Sequence, residues 1–375
     1  MTMPPTASPD LRSQLGNKIR EARERLSWSQ TRLAEAVGLG SPQIVSTIEN
    51  GQRELKAWEL FKIAKALHVS VEQLLNPNAT PEPVPQWRAR PESEFREHEA
   101  RFFQRCERYA LVESWCGITE PQQLRPLSFQ QSMPSFLQVR RDAENVRNAL
   151  QLGSRPACSL SKILQEEFGV KIFCDDLGPN GAGFSVKGSF GYGILLNAAN
   201  APWRRNFSLA HELFHLLTWD SLAPSDQCEK LADAFASSLL LPTETLLEMV
   251  SARLENGCIA IEKLVEIARD FDVSTEALLW RLVNLGRLEK EAVSGALQSD
   301  SFRSVDRAMR TWDVAPMLPE RYVRLCFLAY RKGKLGLAKL AEFLEKSLVD
   351  LASEIGEIGT DLPDSADTEL AVTGC

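Results

Sequence analysis

The apolar positions of residues 11 to 75 recur at helical spacing in short runs, each ending at a capping or turn residue, so this stretch predicts a series of short amphipathic helices. Ser29 predicts an N-cap before the run Gln30 to Val37, and Gly38 predicts the tight turn that ends it. Ser41 predicts a second cap, with Pro42 at the first position of a helix that runs to Glu49 and stops at Asn50-Gly51. Leu33, Ala34, Val37, Val45 and Ile48 then face one core, which leaves Gln30, Gln43, Ile44 and Thr47 on the outside. The pattern breaks after residue 76. Five prolines between 77 and 91 exclude a helix interior or a central strand and predict a stiff, extended linker over 77–92.

Ser93 to Cys116 reads as one long charged helix within a connector spanning 93–137, and Leu137 to Leu152 and Ser159 to Phe168 read as two more helices. Val170 to Phe173, Gly183 to Val186 and Tyr192 to Asn197 are short β-branched or apolar runs separated by Gly, Pro and Asn, as in a small antiparallel sheet. Helical spacing returns from 207 almost to the end. The expected fold is therefore mainly α with a small antiparallel sheet: an N-terminal five-helix unit (11–76), the linker, the connector, an α+β domain (138–290) and a helical C-terminal region (291–353). The acidic, aperiodic stretch 354–375 predicts disorder. Leu60 to Leu75 echoes Leu264 to Leu279, with Ser70 and Ser274 in register as N-caps. What precedes 264 lacks the features of the first unit, so the echo reads as a shared helix-packing solution.

Composition narrows the function classes. No window approaches the roughly 18 consecutive apolar residues of a membrane span, and Met1 to Pro9 has no secretory pattern, so a cytoplasmic protein without membrane contact is expected. The eight cysteines are scattered and read as reduced thiols. The net charge of −7 argues against a chain that coats nucleic acid throughout, but residues 11–76 carry ten Lys/Arg against seven Glu. Any contact with nucleic acid therefore belongs at the N-terminal end.

There, the helix starting at Pro42 is placed as a recognition helix whose first residues meet base edges in the major groove. Gln43 can pair with adenine through both donor and acceptor and is the expected base reader, with Ile44 and Thr47 beside it. Gln30, Arg32, Arg53 and Lys56 are better placed for phosphates. Residues 15–75 resemble the lambda-repressor-like, or XRE, helix-turn-helix family in Leu-Ser-x-Ser-Gln-x-x-Leu-Ala at 26–34 and Ile-Glu-Asn-Gly at 48–51. The resemblance implies binding to a double-stranded DNA operator, weak as a monomer and stronger as a homodimer.

Two of only four histidines fall in His211-Glu212-Leu213-Phe214-His215. On a helix, positions i and i+4 share a face, so both imidazoles can reach one Zn²⁺ (Mn²⁺ being the alternative ion) while Glu212 serves as base for the attacking water. Glu229, on a second apolar-patterned helix, is assigned as third ligand. Asp233, four residues on, is assigned to accept a hydrogen bond from the ring N–H of a metal-binding histidine. The sequence resembles the ImmA/IrrE metallopeptidase family in Arg204 to Glu212 and in Glu229-x-x-Ala232-Asp233-x-Phe235-Ala236-x-x-Leu239-Leu240-Leu241-Pro242, over about 138–286 and more loosely to 350. The resemblance implies a gluzincin-like zinc endopeptidase with ligands His211, His215 and Glu229, and a helix-turn-helix repressor protein as its substrate. Phe214 stands where the family commonly has glycine, which predicts a narrower or differently shaped groove at the metal, with no ligand lost. Tyr192, Arg204 and Arg205 are candidates for stabilising an oxyanion, and the strand 192–197 is a candidate for pairing with an extended substrate. The Pro-rich linker would hold the two units apart. The leading function is a DNA-binding transcriptional regulator with site-specific peptidase activity; a regulator or antitoxin-like protein that uses the peptidase fold as a non-catalytic sensor or scaffold is the competing one.

Overall fold

The computed structural model describes residues 11–76, 85–89, 95–118, 121–129, 133–179, 181–308, 312 and 315–360. The N-terminal stretch forms α1 (Leu11–Arg25), α2 (Gln30–Val37), α3 (Pro42–Glu49), α4 (Ala57–Ala66) and α5 (Val71–Leu75). Ser29 Oγ accepts from the backbone N–H of Arg32 at 3.1 Å, and Gly38 closes α2 at φ 73° in the left-handed region. Ser41 makes no side-chain cap bond, contrary to expectation; Pro42 at the first position brings a preset φ and no N–H to satisfy, so α3 starts without one. Leu33, Ala34, Val37, Val45 and Ile48 are all buried in one core with Ile19, Ile63 and Leu67. Gly16 lets α1 approach α3 closely, because an added Cβ would lie 2.5 Å from the Ile48 carbonyl oxygen.

The remaining elements are β1 (Gln86–Ala89), α6 (Phe95–Cys116), α7 (Phe136–Ala149), α8 (Pro156–Glu166), β2 (Lys171–Asp175), β3 (Gly183–Gly188), β4 (Gly191–Asn197), α9 (Pro202–Leu217) and α10 (Asp226–Leu240). They continue as α11 (Thr243–Ser251), α12 (Ile261–Asp270), α13 (Thr275–Asn284), α14 (Lys290–Gln298), α15 (Asp300–Ala308), α16 (Glu320–Arg331), α17 (Leu337–Phe343) and α18 (Leu348–Thr360). Because Leu351 is buried in a core, α18 persists through 354–360 instead of dissolving there; the expectation of disorder for 361–375 lies outside the described residues. No helix among the described residues is long and apolar enough to cross a membrane.

The sheet is mixed, not antiparallel, and has a fourth strand. Its order is β1-β3-β4-β2, with β4 antiparallel to β3 and parallel to β2. β2 and β4 are apolar on both faces: Ile172, Ile194 and Leu196 enter one core, while Phe173 and Leu195 enter another. β4 therefore lies inside the sheet between β3 and β2, while β2 is an edge strand with both of its faces covered. β1 then adds to β3, so part of the Pro-rich segment forms an edge strand, where proline-flanked chain is tolerated.

Helices cover both faces. α7 to α14 build the larger core on one side; α6, α16, α17 and α18 build the second on the other. The C-terminal region and the connector therefore pack on each other across the back of the sheet. α6 also reaches the N-terminal unit, where Ala100 joins the helix-turn-helix core and Gln73 Nε2 donates to Glu107 at 2.9 Å. An apolar residue and several polar ones on α6 dock the N-terminal helices directly; most of the linker expected over 77–92 lies outside the described residues. The echoed segments adopt the same helix–turn–helix form. His68 (φ 55°) and Asp272 (φ 52°) take left-handed turns, and Ser70 and Ser274 cap α5 and α13 through the backbone N–H of Gln73 and Ala277.

Candidate metal centre and DNA-binding face

Every residue from Ser208 to Leu217 is buried, because α9 is wedged between β3 and β4 on one side and α8 and α10 on the other. His211, Glu212 and His215 are thus polar groups inside a core, a costly placement unless each meets a partner. Ser225 caps α10 and sets its first turn, which aims Glu229 back at α9. His211 Nε2 lies 3.1 Å from Glu229 Oε2 and 3.1 Å from His215 Nε2, and His215 Nε2 lies 3.4 Å from Glu229 Oε1. Atoms held tetrahedrally about one zinc at bond lengths of about 2.0–2.1 Å sit roughly 3.3 Å apart, so this donor set fits the ion. His211 Nδ1 is 2.9 Å from Asp233 Oδ1; as donor there, the ring turns the Nε2 lone pair toward Glu229 and His215.

Burial by itself would raise the Glu229 carboxyl, but hydrogen bonds and charge from His211 and His215 outweigh it and hold the group down at about 2. Glu229 is therefore a carboxylate at neutral pH, as a ligand must be. Glu212, fully buried, follows His211 on the same helix. Among the described residues, His211, His215 and Glu229 form the one group of histidine, cysteine and acidic side chains spaced to hold a metal.

Cys228 was not legible as a neighbour of this site. Its Sγ lies 4.0 Å from His215 Nδ1, and burial pushes the thiol up to about 11, so it stays neutral beside the ring. The only sequence signal was adjacency to Glu229. Phe214 is fully buried, with its ring 5.4 Å from that of Phe235, because its position on α9 turns it into the core shared with α10. Arg205 donates to the carbonyls of Ala198 and Asn200 and so pins the turn before α9, while Arg204 is exposed and Tyr192 half-buried. The strand 192–197 cannot receive a substrate strand, since β4 is paired on both sides.

In the N-terminal unit the organising residue is Glu49, only 1% exposed. Its carboxylate accepts from Arg23 at 2.6 and 3.0 Å and from Gln30 Nε2 at 2.9 Å, tying α1, α2 and α3 together. Gln30, expected at a phosphate, is thus half-buried on Glu49. Arg53 donates to Glu59 at 2.7 Å, and Arg32 pairs with Glu97 of α6. Gln43 and Lys56 are exposed, Ile44 is half-buried, and Thr47 Oγ1 donates to the Ile44 carbonyl at 2.9 Å. The face at the start of α3 is open, with Gln43 its most available polar side chain among the described residues.

Residues 19–74 match the family described as helix-turn-helix, and residues 165–283 match the family described as the IrrE N-terminal-like domain, a peptidase family. No curated protein matches the chain. The chain carries a helix-turn-helix DNA-binding domain and an IrrE/ImmA-type peptidase domain, and the metal-spaced cluster and α9 fall inside the second.

Proposed function

We propose that this chain is a cytoplasmic DNA-binding transcriptional regulator with zinc-dependent, site-specific endopeptidase activity, and that its substrate is a helix-turn-helix repressor protein. The observation that carries the reading is the convergence of His211 Nε2, His215 Nε2 and the Glu229 carboxylate at 3.1–3.4 Å, with Glu212 buried on the same helix. Zn²⁺ bound there supplies Lewis-acid polarisation of a scissile carbonyl and a lowered water pKa. The chain does the rest. Asp233 keeps His211 in the tautomer that offers Nε2, Glu212 takes the proton from the attacking water and delivers it to the leaving amine, and the packed core around α9 holds these groups in place. The DNA-binding unit raises the local concentration of the peptidase where repressors sit. Expressing wild type and Glu212→Gln and comparing intact masses of cellular DNA-binding proteins tests the reading. One repressor cut only by the wild type supports it; identical masses and an identical regulatory effect leave a scaffold.

Two further outcomes follow from the geometry. The purified protein is expected to carry about one zinc per chain, because two imidazoles and one carboxylate make an open, three-ligand site. His211→Ala removes one donor and the partner of Asp233, so metal analysis should find little or no zinc; full zinc content in that variant would sink the ligand assignment. At the other end of the chain, Gln43→Ala is expected to cost about 1–3 kcal/mol on a selected operator and little on random DNA. Equal losses on both, read by titration at fixed salt, would remove Gln43 as a base reader.

A further inference from the structure

Glu97, in the first turn of α6, lies outside the helix-turn-helix unit yet accepts two hydrogen bonds from it on a single oxygen. Trp28 Nε1 donates to Glu97 Oε1 at 2.6 Å, and Arg32 Nη2 donates to the same atom. The Arg32 guanidinium carbon sits 4.6 Å above the centre of the Trp28 ring, so the indole both donates beside the guanidinium and supports it. Trp28 is 9% exposed and the Glu97 side chain 14%, while the Arg32 side chain is 46% exposed. Together, an indole N–H and a stacked guanidinium form a notch with the chemistry of an anion site: one positive charge and two convergent donors. It lies at the start of α2, whose N-cap is Ser29. Arg96 Nη1 donates to the Arg25 carbonyl at 3.1 Å and Ala100 enters the helix-turn-helix core, so Glu97 is delivered by a docked helix and not by a loose side chain. Next to it, His98, and one turn further on Arg101, both meet Asp175 on β2, at 2.9 and 3.2 Å, which anchors the same helix to the sheet.

A carboxylate oxygen and a phosphate oxygen ask for the same donors. We propose that the Trp28–Arg32 notch is a DNA backbone-phosphate site, and that Glu97 occupies it as an internal stand-in when no DNA is bound. Phosphate and carboxylate cannot share the notch, since both carry negative charge and would claim the same two donors. Full engagement of DNA therefore lifts the Glu97 side chain out of the notch, while His98 and Arg101 on Asp175 keep α6 on the sheet. The notch thus makes DNA contact and the Glu97 contact of the connector competing states. The inference rests on residues 19–74 binding DNA.

The test is titration of the full chain with a mixed-sequence duplex of about 20 base pairs across a range of salt, for wild type, Glu97→Gln, Arg32→Ala and the double variant. Glu97→Gln keeps the shape of the side chain and can still accept from Trp28, so the fold is retained, and its thermal midpoint reports this. Affinity of Glu97→Gln should rise about two- to fivefold at low salt, the range in which a partly exposed pair competes. Because the wild type also fills the notch once Glu97 is displaced, its slope of log affinity against log salt should match that of Glu97→Gln, while Arg32→Ala, which lacks one phosphate contact, should have a slope shallower by about 0.9. The gain should vanish in the double variant, and Arg32→Ala alone should cost less than it does in the Glu97→Gln background. A gain that survives without Arg32 would be through-space charge and would overturn the proposal, as would a wild-type slope in Arg32→Ala or weaker binding by Glu97→Gln. If no variant binds DNA at low salt, the DNA-binding reading falls and this inference falls with it; binding with the same slope in every variant removes this inference alone.

Discussion

Glu212→Gln is expected to lower peptide-bond hydrolysis by about 10²–10⁴-fold, the range for losing a positioned general base. The amide matches the carboxylate in shape, so the fully buried site on α9 keeps its packing, but it cannot take a proton from water. His211, His215 and Glu229 are untouched, and zinc content should stay at the wild-type level. Replacing a buried acid by a neutral group also removes a desolvation cost, so stability should be equal or higher. DNA affinity should not change, because Glu212 lies on α9 within the peptidase domain. Turnover of a quenched-fluorescent peptide library, alongside metal analysis of the same samples, measures both halves. Turnover equal to wild type in a zinc-loaded variant would dismiss Glu212 as the base.

The largest stability effect is expected at Arg321. Its side chain is 5% exposed, and it donates to Tyr109 at 3.0 Å, to Glu166 at 3.1 Å and to Glu113. Glu113 is itself buried and also holds Lys171 of β2 at 2.9 Å. One guanidinium thus joins α16 of the C-terminal region to α6, and through Glu166 to α8. Arg321→Met leaves a buried carboxylate half-compensated, and breaking such a pair from one side costs roughly 3–5 kcal/mol. About 3 kcal/mol is the expected loss, at the lower end because Lys171 still faces Glu113. Arg324, which meets the same Glu166 but is 57% exposed, provides the contrast: Arg324→Met should change stability by less than about 0.5 kcal/mol. Urea unfolding of the two variants, with hydrogen exchange in α16, separates them. Similar small losses in both would mean that the apolar core between α6 and α16 holds this layer without the ion cluster.

The two domain identities were legible because they are written in local chemistry. An i, i+4 pair of histidines needs only a helix to share a face; Ser29, Ser70 and Ser274 accept from N–H groups three residues on, and the Gly38 N–H donates to carbonyls of the turn before it. The face of α2 and α3 that holds Leu33, Val37, Val45 and Ile48 follows from helical period alone. Glu229 and Asp233 could be proposed from spacing along a second helix, since residues four apart point the same way. Other features depended on which distant elements meet. Strand order is one: Tyr192 to Asn197 reads as a strand from its residues, but its place between β3 and β2, which closes it to a substrate, follows from the two apolar faces being buried between separate layers. Partners of long side chains are another. Gln30 on Glu49, Arg32 on Glu97 and Cys228 on His215 span 19, 65 and 13 positions, and no periodicity links them. Phe214 turned to Phe235, and α6 settled on the helix-turn-helix unit, because apolar surface is buried wherever the packed layers leave room for it. Which helices form, and which side chains each presents on a common face, could be read from the chain, as these depend on neighbours within a turn or two; what each face meets could not, because that is set by packing among residues far apart in the chain.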